Sequence, residues 1–311
     1  MPFQSSTFEL LYLTIISSFM TNPNTQLPRL LEILNIKPLD DGTFRGDNLD
    51  IGSPQVYGGQ VLSQSLVAAG RTLPEDRFLH SMHGYFVRRG DIAKPIDYEV
   101  EIVRDGGSFC TRRVKASQEG KTIFITAASY QKEEEGFEHH SGMPNVSQPE
   151  SLSSFPEIFK KLAEEFDIKP KGIFAEDSAI IFRPVTFYNP FNPGIQPAES
   201  HVWFKLNGDI HTDDSEFYKI LISYASDFNL LLTSLLPHNI SMYTDPMFVA
   251  SLDHAMWFHR KVELNDWLLY SVKSPSASNS RGFCTGRIFA RDGRLLASVT
   301  QEGLIRKHSK T

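Results

Sequence analysis

Cysteine is nearly absent: the 311 residues hold two, Cys110 and Cys284. They lie far apart and form no CxxC or other metal-ligand spacing, so both read as free thiols of a reducing, cytoplasmic compartment rather than as a disulfide framework. An excess of positive charge is also missing, since 37 acidic residues outnumber 31 basic ones. No Lys/Arg-rich run tracks a nucleic-acid backbone, and no nucleic-acid partner is expected. Long apolar runs are wanting too. Phe8 to Met20 (FELLYLTIISSFM) is shorter than the ~20 residues of a membrane-spanning helix, and no Lys or Arg precedes Arg29. Neither membrane insertion nor a secretory signal is expected. Residues 1–27 read as an N-terminal extension, and the terminal Ser309-Lys310-Thr311 lacks the final Leu of a peroxisomal signal. Several catalytic motifs are absent as well: GxGxxG after a strand, a Walker loop, HExxH and GxSxG, of which Gly106-Gly107-Ser108-Phe109-Cys110 comes nearest. His139-His140 has no Cys, Asp or Glu at ligand spacing, so neither a cofactor nor a metal is expected.

What the chain does contain is a repeat. Gly106 to Gln131 (GGSFCTRRVKASQEGKTIFITAASYQ) matches Asn279 to Gly303 (NSRGFCTGRIFARDGRLLASVTQEG), with Phe-Cys-Thr recurring at 109–111 and 283–285. Each stretch alternates apolar and polar residues, turns at Glu119-Gly120 or Asp292-Gly293, and alternates again, which predicts two hairpins. The likeness extends upstream through His80 to Arg88 and Ala250 to Arg260, then through the alternating runs Ile96 to Val103 and Trp267 to Val272. One helix-like segment precedes each set, Gly59 to Leu73 and Glu216 to Leu236. The predicted unit is one long helix followed by antiparallel strands, present twice. The cysteines occupy the same place in each copy, which marks them as small packing residues.

The expected organisation is an extension over 1–27, a first unit over 28–131, a linker over 132–178 and a second unit over 179–311. The linker opens with Lys132-Glu133-Glu134-Glu135 and carries a predicted surface helix, Pro156 to Phe166, with Ile158, Leu162 and Phe166 on one stripe. Ala179 to Val185 and His201 to Leu206 read as strands opening the second unit.

The second helix holds an anomaly. At about 100° per residue, Tyr218, Leu221, Ile222, Ala225 and Phe228 cover one side, and Ile220, Tyr224, Leu230 and Leu231 cover the other. A helix apolar all round is buried, and Asp227 stands in the middle of it. Burying a carboxylate without partners costs several kcal/mol or raises its pKa above ~3.9. Asp227 therefore either reaches solvent or structural donors, or is a catalytic carboxylate in a dry cleft. Counting back from Pro74 and Pro237 sets Gln64 opposite Asp227, so one copy has an ionisable group where the other has none.

Five segments carry a family resemblance: Val56-Tyr57-Gly58-Gly59-Gln60, His80 to Asp91 (HSMHGYFVRRGD), Ser251 to Arg260 (SLDHAMWFHR), Trp267-Leu268-Leu269-Tyr270 and Ser298 to Gly303 (SVTQEG). Together they resemble acyl-CoA thioesterase II, the TesB type, from about Leu27 to Arg306. The resemblance implies an α+β double hotdog, in which two antiparallel sheets each wrap a helix and pair edge to edge. It implies hydrolysis of medium- to long-chain fatty acyl-CoA to fatty acid and coenzyme A, and a homodimer or homotetramer. Carried over by position, it also implies that Asp227, Ser251 and Gln301 orient the attacking water. Taken singly, Ser251 reads rather as a strand-edge hydroxyl and Gln301 as a solvent-facing amide; taken with Asp227 and the surrounding motifs, both read as active-site groups. Asp253 and His254 read as supporting or interface groups. Spacing alone does not choose between Asp227 activating water and Asp227 attacking the thioester directly. An enoyl-thioester hydratase on the same fold and a catalytically silent acyl-CoA sensor are the rival functions.

Overall fold

The computed structural model describes residues 25–53, 55–166, 172–210, 212–241 and 245–307; Phe8 to Met20 and Ser309-Lys310-Thr311 lie outside them. The first copy opens with helix α1 (Leu27–Leu34), whose Leu27, Leu30, Leu31 and Leu34 are buried, and with the short strands β1 (Lys37–Asp40) and β2 (Thr43–Gly46). Helix α2 (Gly58–Gly70) follows, then β3 (Phe78–Phe86), β4 (Ile96–Asp105), β5 (Phe109–Gln118) and β6 (Lys121–Gln131). The linker contributes helix α3 (Phe155–Phe166). The second copy comprises β7 (Ile180–Pro184), β8 (Glu199–Leu206), helix α4 (Ser215–Ser226), β9 (Met247–Ser251), β10 (Asp253–Phe258), β11 (Leu268–Ser278), β12 (Arg281–Ala290) and β13 (Leu295–Lys307).

All strands join one antiparallel sheet in the order β1-β2-β4-β5-β6-β3-β10-β13-β12-β11-β8-β7, with β9 also paired to β13. The two copies meet edge to edge at β3 and β10, where Met82 faces Met256. The spacing that relates Cys110 to Cys284 also relates Met82 to Met256. A residue opposite its own counterpart marks a local two-fold axis through the seam. Pairing the two edge strands also removes two unsatisfied backbone ladders from the middle of the molecule.

Helices α2 and α4 lie inside the curved sheet, packed on one another and into a single core that runs through both copies. Residues Gly59 to Ala69 of α2 and Phe217 to Ser226 of α4 are buried without a break. A satellite cluster of Trp203, Trp267, Leu269, Phe289 and Leu295 is covered by Met143, Val146 and Leu152 of the linker. The Trp203 indole there donates to Ser147 O at 2.9 Å. Helix α3 is less superficial than its sequence pattern predicts. Its Phe155, Phe159 and Leu162 are buried, and Phe159 stacks on Phe174 with ring centroids 4.2 Å apart.

The helix expected over Glu216 to Leu236 is broken. Helix α4 stops at Ser226, Asp227 is its C-cap, Asn229 takes a left-handed φ of 58°, and a 3-10 helix runs from Leu231 to His238. Asp and Asn side chains compete with the helical backbone for hydrogen bonds, and Asn tolerates the left-handed region, so the break falls where the chain carries both. Asp227 thus lies at a helix end rather than in mid-helix. Gln64 is not its counterpart: it sits inside α2, bonded to Ile33 O, Asp47 O and the Tyr98 hydroxyl. The C-cap of α2 is Arg71. The segment Ser215–His238 has the length and apolarity to cross a membrane, and it is mostly buried inside the protein.

Candidate active site

The carboxylate of Asp227 is 8% exposed and stands at the C-terminal end of its own helix, where the macrodipole disfavours negative charge. Its partners come from elsewhere. Helix α2 of the first copy points its N-terminus at Asp227, and the Gly59 N–H donates to Oδ2 at 3.0 Å. Gln301 on β13 donates from Nε2 to Oδ1 at 2.7 Å. Burial raises the Asp227 pKa above the ordinary carboxylate value, while the Gln301 and Gly59 hydrogen bonds pull it back down.

Two glycines make this meeting of helices possible. A Cβ on Gly58 would lie 2.5 Å from Asp227 Oδ2, and one on Gly59 would lie 2.3 Å from the Tyr224 carbonyl oxygen. Tyrosine hydroxyls cover the last carbonyls of α4, which have no helical partner. Tyr57 donates to Tyr224 O at 2.9 Å and Tyr270 donates to Ser226 O at 2.8 Å.

Gln301 faces inward and is 1% exposed, which disposes of its solvent-facing alternative. Its Nε2 also lies 3.1 Å from His254 Nδ1, and its Oε1 is buried with no hydrogen-bond partner among the described residues. Ser251 ends β9 opposite Gly303, two residues beyond Gln301 on β13. Asp227, Ser251 and Gln301 line one cavity of about 590 Å³. Apolar groups such as Val61, Phe86, Phe124, Leu230 and Leu304 make up much of its wall. Arg88 and Arg89, both exposed, are the cations lining it among the described residues. Asn229 and Leu232 also line a second, aromatic cavity of about 290 Å³ walled by Phe155, Phe159, Phe174 and Phe228. The break in the second helix is therefore the partition between the two cavities, with Asp227 on one side and Phe228 on the other.

The family model described as Acyl-CoA thioesterase matches residues 170–304, and that of the Acyl-CoA thioesterase N-terminal domain matches residues 46–131. Acyl-CoA thioesterase 2 of Haemophilus influenzae is 42% identical over 280 residues, covering 90% of this chain and 98% of its own. The chain belongs to the acyl-CoA thioesterase family. Human acyl-coenzyme A thioesterase 8 is 36% identical over 288 residues, with 88% of each chain covered. The crystal structure of acyl-CoA thioesterase II TesB2 from Mycobacterium marinum superposes with a TM-score of 0.73 at 36% identity, over 91% of this chain and 99% of that one. The chain is accordingly a thioester hydrolase with a double hotdog fold.

Sequence reasoning missed several groups around this thioesterase's Asp227 and its cavity: the paired glycines, Tyr57, Tyr270, the two arginines and the contact from Gln301 to His254. Gly58-Gly59 carried a legible signal, because two glycines at a helix start oppose helix propensity and ask for another cause. His139 and His140 are exposed, and among the described residues no group of three or more His, Cys, Asp or Glu is placed to hold a metal.

Proposed function

We propose that the chain hydrolyses medium- to long-chain fatty acyl-CoA to fatty acid and coenzyme A, with Asp227 as general base and Ser251 and Gln301 orienting the water. The observation that carries this reading is a desolvated carboxylate, restrained on both oxygens, in one cavity wall with a hydroxyl and an amide. Asp227 takes a proton from water as the oxygen attacks the thioester carbonyl, and the tetrahedral intermediate expels the thiolate, which recovers the proton from Asp227. The hydrogen bonds on Oδ1 and Oδ2 hold the carboxylate in place and temper its nucleophilicity, which favours water over a transient anhydride. The Gly58 N–H, at the positive end of α2, suits the developing oxyanion.

The cavity also suggests how substrate lies. Coenzyme A is anionic, and Arg88 and Arg89 offer its phosphates the two cations of the lining. Arg89 is stacked over the Phe248 ring at 4.4 Å. The acyl chain runs past Asp227 along apolar wall, and the aromatic cavity beyond Leu232 gives a long chain somewhere to end. A cytoplasmic location fits the two buried free thiols. A homodimer or homotetramer fits the outer sheet face, where Tyr85 and Ile125 are 61% and 41% exposed; a monomer by light scattering would refute it. Release of coenzyme A thiol, followed with a colorimetric thiol reagent over a series of acyl lengths, tests the reading. Release that rises toward medium and long chains supports it. Absence of release with every ester would instead favour the sensor.

A further inference from the structure

We propose that His254, backed by Ser226, is a positioning residue that sets which way round the Gln301 amide faces; this rests on the reading of Asp227 and Gln301 given above. Asn and Gln amides are nearly symmetric in shape, so the orientation of a buried one follows from its hydrogen-bond partners. The ionised Asp227 Oδ1, 2.7 Å away, accepts only a donor, which places the NH2 group of Gln301 against it. The second hydrogen of that NH2 group points to His254 Nδ1 at 3.1 Å, and so this nitrogen presents a lone pair. The ring proton then belongs on Nε2, which lies 3.0 Å from Ser226 Oγ. Ser226 can receive it, because its own proton goes to Ser223 O at 2.8 Å. Reversing the tautomer would set N–H against N–H and favour the flipped amide, with its oxygen against the carboxylate.

His254 is fully buried, and burial lowers its pKa to about 3, so the ring stays neutral and keeps that lone pair across the working range of an enzyme. With both amide hydrogens committed, the oxygen left over is the buried, unpartnered Oε1 of a residue that lines the reaction cavity. It is the acceptor for a hydrogen of the attacking water.

The other copy supplies an internal control. The spacing that relates the cysteines relates His254 to His80, and the strand register that sets Gln301 opposite Cys284 sets Tyr130 opposite Cys110. Where tyrosine replaces the amide, the histidine is only half-buried and bonds Ser129 Oγ instead, at 2.8 Å. The fully buried histidine accompanies the glutamine.

The test compares His254→Leu, which keeps bulk and removes the acceptor, with His254→Asn, whose Oδ1 falls near the place of Nδ1. Each is measured alone and combined with Gln301→Ala, beside wild type and Asp227→Asn. A mis-set reacting group costs about 100-fold, so His254→Leu is expected to lower kcat by about that factor with KM changed little. His254→Asn recovers most of the loss. In the Gln301→Ala background His254→Leu adds less than about two-fold, because residues acting through one another are non-additive. A purely structural histidine would cost the same factor in both backgrounds, and that result, or an undiminished kcat for His254→Leu, overturns the proposal. Should His254→Leu fail to fold, Ser226→Ala carries the test by releasing the tautomer, and an undiminished kcat there overturns it equally. Full activity in Asp227→Asn would sink the site reading itself. An inactive Asp227→Asn beside an unaffected His254→Leu would sink only this inference.

Discussion

Replacing Gly59 with alanine sets helix propensity against packing and separates the two by assay. Alanine within a helix is ordinarily favoured over glycine by about 1 kcal/mol. Here the added methyl would lie 2.3 Å from the Tyr224 carbonyl oxygen and 2.6 Å from the Tyr57 ring, inside van der Waals contact with the backbone of α4. Relief requires the N-terminus of α2 and the C-terminus of α4 to move apart by roughly 1 Å, and a misplacement of that size costs about 100-fold in rate. Overpacking costs about 1–3 kcal/mol and propensity returns about 1, so the net loss of stability is at most about 2 kcal/mol. Gly59→Ala is thus expected to stay folded, with a modest fall in denaturant midpoint and a fall in kcat of about two orders of magnitude. Gly70→Ala, at the far end of the same helix, is the control. Its methyl meets nothing within 4 Å, and both stability and kcat should hold or improve. Wild-type kcat in Gly59→Ala would refute the claim that this helix contact positions Asp227.

Three further outcomes follow from the same geometry. The pH profile of kcat/KM should lose activity on the acid side with an apparent pKa above that of an ordinary carboxylate, since Asp227 must be ionised to act and burial raises its pKa; because Gln301 lowers that pKa, Gln301→Ala should move the remaining acid limb higher still, and a limb that moves down would contradict the assignment. Arg88→Ala with Arg89→Ala should raise KM for acyl-CoA about ten-fold or more, that being roughly the worth of one lost charged hydrogen bond, yet leave the corresponding phosphate-free thioester unaffected; equal effects on both esters would refute a phosphate contact. Leu232→Trp, filling the partition between the cavities, should shift the chain-length profile toward short esters, and an unchanged profile would show that long chains end elsewhere.

The duplicated fold was legible because strand alternation and turn residues repeat with the same letters, down to Phe-Cys-Thr. Asp227 was legible as a polar residue in an apolar stretch. The helix break beside it was hidden, because Leu230, Leu231 and Leu235 continue the apolar pattern into the 3-10 helix and no glycine or proline interrupts residues 226–230. Asp227 and Asn229 were the available clue, since both residue types favour caps over helix interiors. Helix α1 was readable in retrospect, from Leu27, Leu30, Leu31 and Leu34 on one face behind Pro28, as was the turn at Asp41-Gly42. The contact of His254 with Gln301 was not readable. It depends on the register of β10 against β13, which places Ala255 opposite Thr300 and so brings two inward-facing neighbours together.

The most direct test of water activation by Asp227 is thiol release from long-chain acyl-CoA by wild type and by Asp227→Asn. Loss of a general base lowers kcat by about 100- to 10,000-fold, with KM little changed because the acyl and phosphate contacts remain. Equal thiol release from the two proteins would contradict the central claim that the buried carboxylate at the meeting of the two helices activates the water.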